Sequence, residues 1–510
     1  MRGHALQEQS MQQQNHLQGV QVYVETFGCQ MNILDSELVQ QQLLHMGCRV
    51  VSCADDAQVV LLNTCSVRDL SEQKVLSRLG ILRDRKLQGE KLLVGVLGCM
   101  AERVHTGLMR GHLAVDLLVG PSNLAQIPQL LPLAYEHVQR GLRGNQVALS
   151  DFRNRKGKQI ANQAMQEDLE ALDARRGQYT QLPQVQAYVR ITRGCNKFCA
   201  FCVVPRTRGP EAHRDPQSII DEVKRLADTG VLEVTLLGQT INHYCYQHGA
   251  GRTTSFAQLL FRLHEEVPHL QRLRFLTSYP RDFTDETLDV MASCDRICKY
   301  LHIPAQSGSN RILRKMNRGY TREQYLELVD RARSRMPNIS LVGDMIVGFS
   351  CETQEDFALS LSLLRQVRYK NVFVFKYSPR PGTVSHDRQA DDVPWQVKQE
   401  RNRVMLQLQQ EISLQHHNAL IGKQLQVLVE SKAKYDPPAQ TAHGATMVAI
   451  RRKKALREDG MVRLSARTQG DHIVAFDGSQ ECIGTCMPVR IVGATALTLR
   501  GEKVLQEIST

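Results

Sequence analysis

From residue 20 to 138 the chain alternates apolar runs with amphipathic stretches: VQVYVETFG, SELVQQQLLHMG, AQVVLLNT, a charged helical stretch, then KLLVGVLG. This alternation predicts a parallel α/β layer domain. Residues 139–183 turn polar and irregular (RGLRGNQVALSDFRNRKGKQIANQ), which predicts a linker. Residues 184–418 hold six apolar runs, QAYVRI, LEVTLLG, LRFLTS, KYLHIP, GDMIVGF and NVFVFKYS, with helical patterns between most of them. Six β/α units predict a partial, open (β/α)6 version of the eightfold barrel, with its chemistry at the C-terminal strand ends. After a helical segment at 391–418, short strand-like runs in 419–505 (KQLQVLVE, HIVAFDG, MPVRIVGA, ALTLRGE) predict a small all-β barrel or sandwich. The expected fold class is therefore α/β with a small all-β module at the C-terminal side. No internal repeat is visible.

Composition narrows the partners. A formal charge of +12 favours an acidic partner, and no stretch approaches the roughly 18 apolar residues of a membrane span, so nucleic acid is expected rather than membrane. Residues 1–19 are Gln-rich without the apolar core of a secretion signal, and are expected to form a disordered polar tail. A cytoplasmic, reducing setting follows as the expectation, in which fourteen cysteines are free thiols and metal ligands rather than disulfides.

Cys195, Cys199 and Cys202 form C-x3-C-x2-C after the first barrel strand. A structural zinc site wants four ligands, and no fourth Cys or His stands at a ribbon or finger spacing. Three thiolates suit a 4Fe-4S cube with one iron left open. Cys29, Cys65 and Cys99 each follow an apolar run, 36 and 34 residues apart. Equivalent strand ends of a parallel sheet share one edge, so these three should converge as a second three-thiolate cluster site. The pairs Cys294/Cys298 and Cys482/Cys486 lack a nearby third ligand and are read as structural, as are Cys48, Cys53, Cys245 and Cys351.

The first cysteine motif, on the first strand loop of a partial barrel, resembles the radical S-adenosylmethionine (SAM) superfamily. ETFGCQMNILDSE, NTCSVRD and GVLGCMAER are similar to the three segments of the methylthiotransferase N-terminal domain. With RGCNKFCAFCVVPRTRGPEAHR, LLGQTINHY, LHIPAQSGSNRILRKMNRGYT, DMIVGFSCETQEDF and YSPRPGT, the resemblance covers about residues 20–505. It implies two 4Fe-4S clusters, one on Cys195, Cys199 and Cys202 that binds and cleaves SAM, and an auxiliary one on Cys29, Cys65 and Cys99. The C-terminal module resembles the RNA-binding TRAM domain. GCQMN resembles the tRNA-modifying branch, which implies methylthiolation at C2 of N6-dimethylallyladenosine, position 37, in tRNAs reading codons that begin with uridine. The implied partners are the tRNA anticodon stem-loop and an electron donor of flavodoxin or ferredoxin type. Methylthiolation of a ribosomal-protein Asp, and a zinc-stabilised RNA-binding protein without catalysis, remain as alternatives.

Later strand ends supply candidates for SAM. Phe201 lies between two cluster cysteines; Gly238, Gln239, Ser278, Gln306 and Val347 follow or end later strands. Arg206, Arg208 and Arg214 suit either the SAM carboxylate or RNA phosphate. The RRKKALR run, 451–457, is expected to contact phosphate. Three segments depart from the family pattern: Ala466 stands in place of Gly, RTRGPE (206–211) replaces a YTRGEE-like segment, and Ser350 and Cys351 replace Pro and Gly in a GFPGET-like turn. A Gly required there at positive φ is poorly replaced by Cys.

Overall fold

A computed structural model describes residues 17–66, 69–110, 115–142, 144–150, 158–176, 185–433 and 460–504. The N-terminal unit is a six-stranded parallel sheet in the order Arg49–Val50, Gln21–Thr26, Val59–Thr64, Leu93–Gly98, Leu117–Val119, Gln146–Ala148. Val59–Thr64 and Leu93–Gly98 are buried at every position, as central parallel strands covered by helices on both faces require. The helices are Gln30–His45, Asp69–Leu87, Cys99–Arg110 and Ile127–Gln139.

Two boundaries differ from expectation. Leu17 is fully buried in the core of this unit, so the expected tail does not reach 19 as a free segment; residues 1–16 lie outside the described residues. The polar stretch after 138 holds strand Gln146–Ala148, the sixth of the sheet, and helix Lys158–Ala174, whose Leu169 and Leu172 join the same core. A three-residue edge strand carries too little alternation to be read from sequence.

The barrel strands occur where the six apolar runs predicted them: Gln186–Arg190, Glu233–Leu237, Arg272–Phe275, Tyr300–His302, Ser340–Val347 and Asn371–Lys376. They pair in parallel as two three-stranded sheets, linked by the bridge between Leu273 and Ile297. Among the described residues no pairing joins the first strand to the last, so the barrel is open. One hydrophobic core runs through it, from Val189 and Ile219 to Met405 and Ile412 of helix Trp395–Asn418.

The C-terminal unit is a closed five-stranded barrel in the order Gln424–Lys432, Met461–Thr468, Ile473–Ser479, Leu499–Lys503, Cys486–Ala494. Val427, Leu464, Phe476, Val489 and Ile491 fill it. Ala466 is also fully buried there, opposite Val429 and Val474, so a methyl group is accommodated at this family departure. The RRKKALR run lies outside the described residues. No described helix is long and apolar enough to cross a membrane.

Candidate active site

Three adjacent strands of the N-terminal sheet deliver Cys29, Cys65 and Cys99 to one edge. Cys29 caps the start of helix Gln30–His45, Cys65 follows strand Val59–Thr64, and Cys99 opens helix Cys99–Arg110. Gly28 explains the closeness: a Cβ there would stand 2.5 Å from Cys65 Cβ. Beneath the thiols runs a buried amide clamp. Asn32 Nδ2 donates to Asn63 Oδ1 (3.2 Å) and Thr64 O (3.1 Å), and Asn63 Nδ2 donates to Asn32 O (2.8 Å) and Ser36 Oγ (2.9 Å). The clamp ties the helix after Cys29 to the strand before Cys65, so one hydrogen-bonded frame holds both cysteines.

A hydrogen bond with Cys65 brings the Cys29 thiol down to about 6, while burial raises that of Cys99. The cation serving both is Arg208, hydrogen-bonded to Cys99 and to Asp35 Oδ2 (2.8 Å). Burial opposes its charge, yet Asp35, Cys99 and Cys29 hold it firmly protonated.

Arg208 stands at the far end of the loop that carries the other triad. Cys195 N donates to Gly209 O at 3.2 Å, closing the loop on itself, and Cys202 N donates to Cys199 O at 3.0 Å. Burial raises the Cys195 thiol and pushes that of Cys202 up to about 12. Such thiols stay protonated until a cation displaces the proton, which is the behaviour of metal-binding cysteines in a dry site. Lys197 N and Thr240 Oγ1 approach Cys195 Sγ at 3.5 and 3.7 Å, and Arg318 Nη1 donates to Cys199 Sγ at 3.3 Å. Arg318 is fixed between the rings of Tyr279 and Tyr320, 4.9 and 5.3 Å from their centroids. Nothing in the sequence singled it out.

The remaining candidates divide. Gln239 Oε1, Ser278 Oγ and Gln306 Oε1 are buried with no hydrogen-bond partner at successive strand ends, joined by Thr192 Oγ1. Orphaned buried polar atoms of this kind suit a polar ligand. Thr277 and Gln306 are held at φ +68° and +70°, backbone strain of the sort stored at binding sites. Gly238 is required by packing, since a Cβ would fall 2.2 Å from Thr192 Oγ1. Phe201 meets Phe349 edge-on with centroids 6.4 Å apart, and Val347 is fully buried in the barrel core. Of the three arginines, Arg206 is exposed, whereas Arg214 is buried and paired with Glu170 and Glu222 at 2.7 Å each. Cys294 and Cys298 are buried singly in the core, consistent with packing.

An open parallel barrel with three thiols on its first strand loop defines a radical SAM protein, and residues 189–364 match the Radical SAM superfamily. Residues 21–120 match Uncharacterized protein family UPF0004. The chain is 39% identical to the tRNA-2-methylthio-N(6)-dimethylallyladenosine synthase of Rhodopirellula baltica over 96% of both chains. It is 40% identical to that of Phocaeicola vulgatus over 95% of this chain and 96% of the relative. For that of Chloroherpeton thalassium the figures are 39%, 97% and 99%. The chain belongs to the family of tRNA-2-methylthio-N(6)-dimethylallyladenosine synthases, radical SAM methylthiotransferases with 4Fe-4S clusters. Among solved structures, the radical SAM methyltransferase TsrM of Kitasatospora setae matches with TM-score 0.49 and 14% identity, over 72% of this chain and 74% of that one.

Proposed function

We propose that this protein methylthiolates C2 of N6-dimethylallyladenosine at position 37 of tRNAs reading codons that begin with uridine, as the names of its relatives and the identity across nearly the whole chain support. The observation that carries the division of labour is Arg208, which links the edge holding Cys29, Cys65 and Cys99 to the loop holding Cys195, Cys199 and Cys202. Bound at these two triads, 4Fe-4S clusters with one open iron each would supply reductive cleavage of SAM on the barrel side and sulfur for transfer on the sheet side.

The chain's own residues do the positioning. Arg318 donates to Cys199 and places positive charge beside the first triad. Gln239, Ser278 and Gln306 hold unpaired polar atoms for SAM, with the barrel core around Val347 and the Phe201 ring excluding water. Adenine C2 carries an unactivated C–H bond, so the base must be turned out of the anticodon loop and brought to the barrel mouth. The closed C-terminal barrel and the positive balance of the chain suit binding of the anticodon stem-loop through its phosphates. Reduction by a flavodoxin- or ferredoxin-type protein, in the cytoplasm, completes the reading.

The test is anaerobic reconstitution followed by iron and sulfide counting, then assay on tRNA and on ribosomal protein. Wild type should hold about eight irons and the triple Cys29, Cys65 and Cys99→Ala variant about four. About four in both would remove the sulfur-delivery role from the N-terminal edge.

A further inference from the structure

Beside the first triad lies a second cluster of ligating groups that the methylthiotransfer chemistry does not use. An oxygen of Glu211 and one ring nitrogen each from His213 and His243 all lie within 4.8 Å of one another. Glu211 Oε2 is 2.6 Å from His243 Nδ1, and Glu211 Oε1 accepts from Thr240 Oγ1 at 3.0 Å. A Glu–His hydrogen bond alone needs no third group. Yet the His213 ring packs 6.2 Å from the His243 ring, and its Nδ1 is buried with no partner. A buried ring nitrogen without a partner is costly, and this same imidazole already stands at ligand distance from a carboxylate and a second imidazole.

We propose that Glu211, His213 and His243 form a binding site for a divalent transition metal of zinc type, distinct from both cysteine triads. Two imidazoles and one carboxylate are a recognised zinc donor set, with a fourth position left for water. His243 is exposed, with 44% of its side chain accessible, which gives the ion a route from solvent.

The placement lets a metal of this open, three-ligand type brace the loop beside it. Strand Ala212–His213 pairs antiparallel with Thr192–Arg193, just ahead of Cys195, and Glu211 N donates to Asn196 Oδ1 at 3.2 Å. His243 sits on the turn Ile241–His243, next to Thr240, whose hydroxyl approaches Cys195 Sγ. An ion across these three side chains ties strand Ala212–His213, after the Cys195 loop, to the turn Ile241–His243 beside it.

The test uses the full chain, first reconstituted anaerobically with iron and sulfide, then equilibrated with zinc held at low free concentration by a competing chelator. Iron, sulfide and zinc are counted together. Wild type should retain about one zinc per chain. His243→Ala, which removes an exposed side chain, and His213→Ala should each lower zinc affinity at least tenfold with iron and sulfide unchanged. Equal zinc in wild type and His243→Ala, or no zinc on wild type, overturns the assignment. Zinc uptake matched by iron loss places the ion on the cysteines and overturns it equally.

Discussion

Cys351 adopts φ +62°, the left-handed region that glycine enters freely and that costs a side chain about 1–2 kcal/mol. Two of its bonds run through the backbone, its N–H donating to Asp392 Oδ1 at 2.7 Å and its carbonyl accepting from Arg311 Nη2 at 2.6 Å, while its thiol adds a bond to Asp392. Cys351→Gly keeps both backbone bonds. Because glycine also gains unfolded-state freedom, the net stabilisation should be about 0.5–1 kcal/mol in chemical denaturation. A loss of stability would mean that packing of the thiol outweighs backbone strain. Arg318 makes a second residue-scale case. A donated hydrogen bond and a positive charge beside a cluster thiolate favour the reduced, more negative state. Arg318→Gln should therefore lower the midpoint potential of the first cluster by about 60 mV, tenfold for a one-electron couple. Iron content should be retained; an unchanged potential with full iron would assign Arg318 to packing alone.

Helix Lys158–Ala174 shows how one element locks the sheet to the barrel. Its Asp173 accepts from Arg190 Nε and Nη2 (3.0 and 2.7 Å) and Arg193 Nη2 (2.7 Å), while Asp35 of helix Gln30–His45 accepts from Arg190 Nη1 at 3.1 Å. Burial disfavours the Asp173 carboxylate, but Arg190, Arg214 and Arg193 hold it far below the usual range. Removing it strands buried cations. Asp173→Ala should cost about 3–5 kcal/mol in denaturant unfolding, and exposed Asp168→Ala on the same helix under about 0.5 kcal/mol. Equal effects would show that helix propensity, not the ion network, carries the helix's contribution. This network explains what the sequence displays and what it hides. The six barrel strands were legible because each is a continuous apolar run between helical patterns, and the cysteines because their spacing repeats with the strands. Arg190, Asp35 and Asp173 were not, since their pairing links positions 155 and 17 residues apart. Arg318 lies 119 residues from Cys199, and strand Gln146–Ala148 is too short to show a period.

At the scale of the whole molecule, the C-terminal barrel is held to the larger one by polar contacts. Arg274 Nη1 donates to Gln469 O at 3.1 Å, Lys370 pairs with Asp471 at 3.0 Å, and His417 Nδ1 meets Thr495 O at 2.6 Å. His472 sits in this seam, 3.4 Å from Ser340 Oγ and with its ring 5.2 Å from that of His417. Burial, then the charge of Lys370, pushes its pKa down to about 3. The folded protein thus keeps His472 neutral, while the unfolded chain takes a proton near the ordinary value of about 6.5. The sign follows: above 6.5 neither state is protonated and stability does not change, whereas between 6.5 and 3 the unfolded state binds the extra proton and stability falls with pH. Asp471, held down to about 2 by Lys370 and Arg467 against the effect of burial, adds its own loss only below its unfolded value of about 3.9. Within the window from 6.5 to 4, then, His472 acts without that contribution. Thermal unfolding of wild type should shift to lower temperature from pH 7.5 to 5.5, and His472→Gln should show a distinctly smaller shift. Parallel shifts in the two proteins would mean that protonation of His472 does not govern how the barrels stay joined.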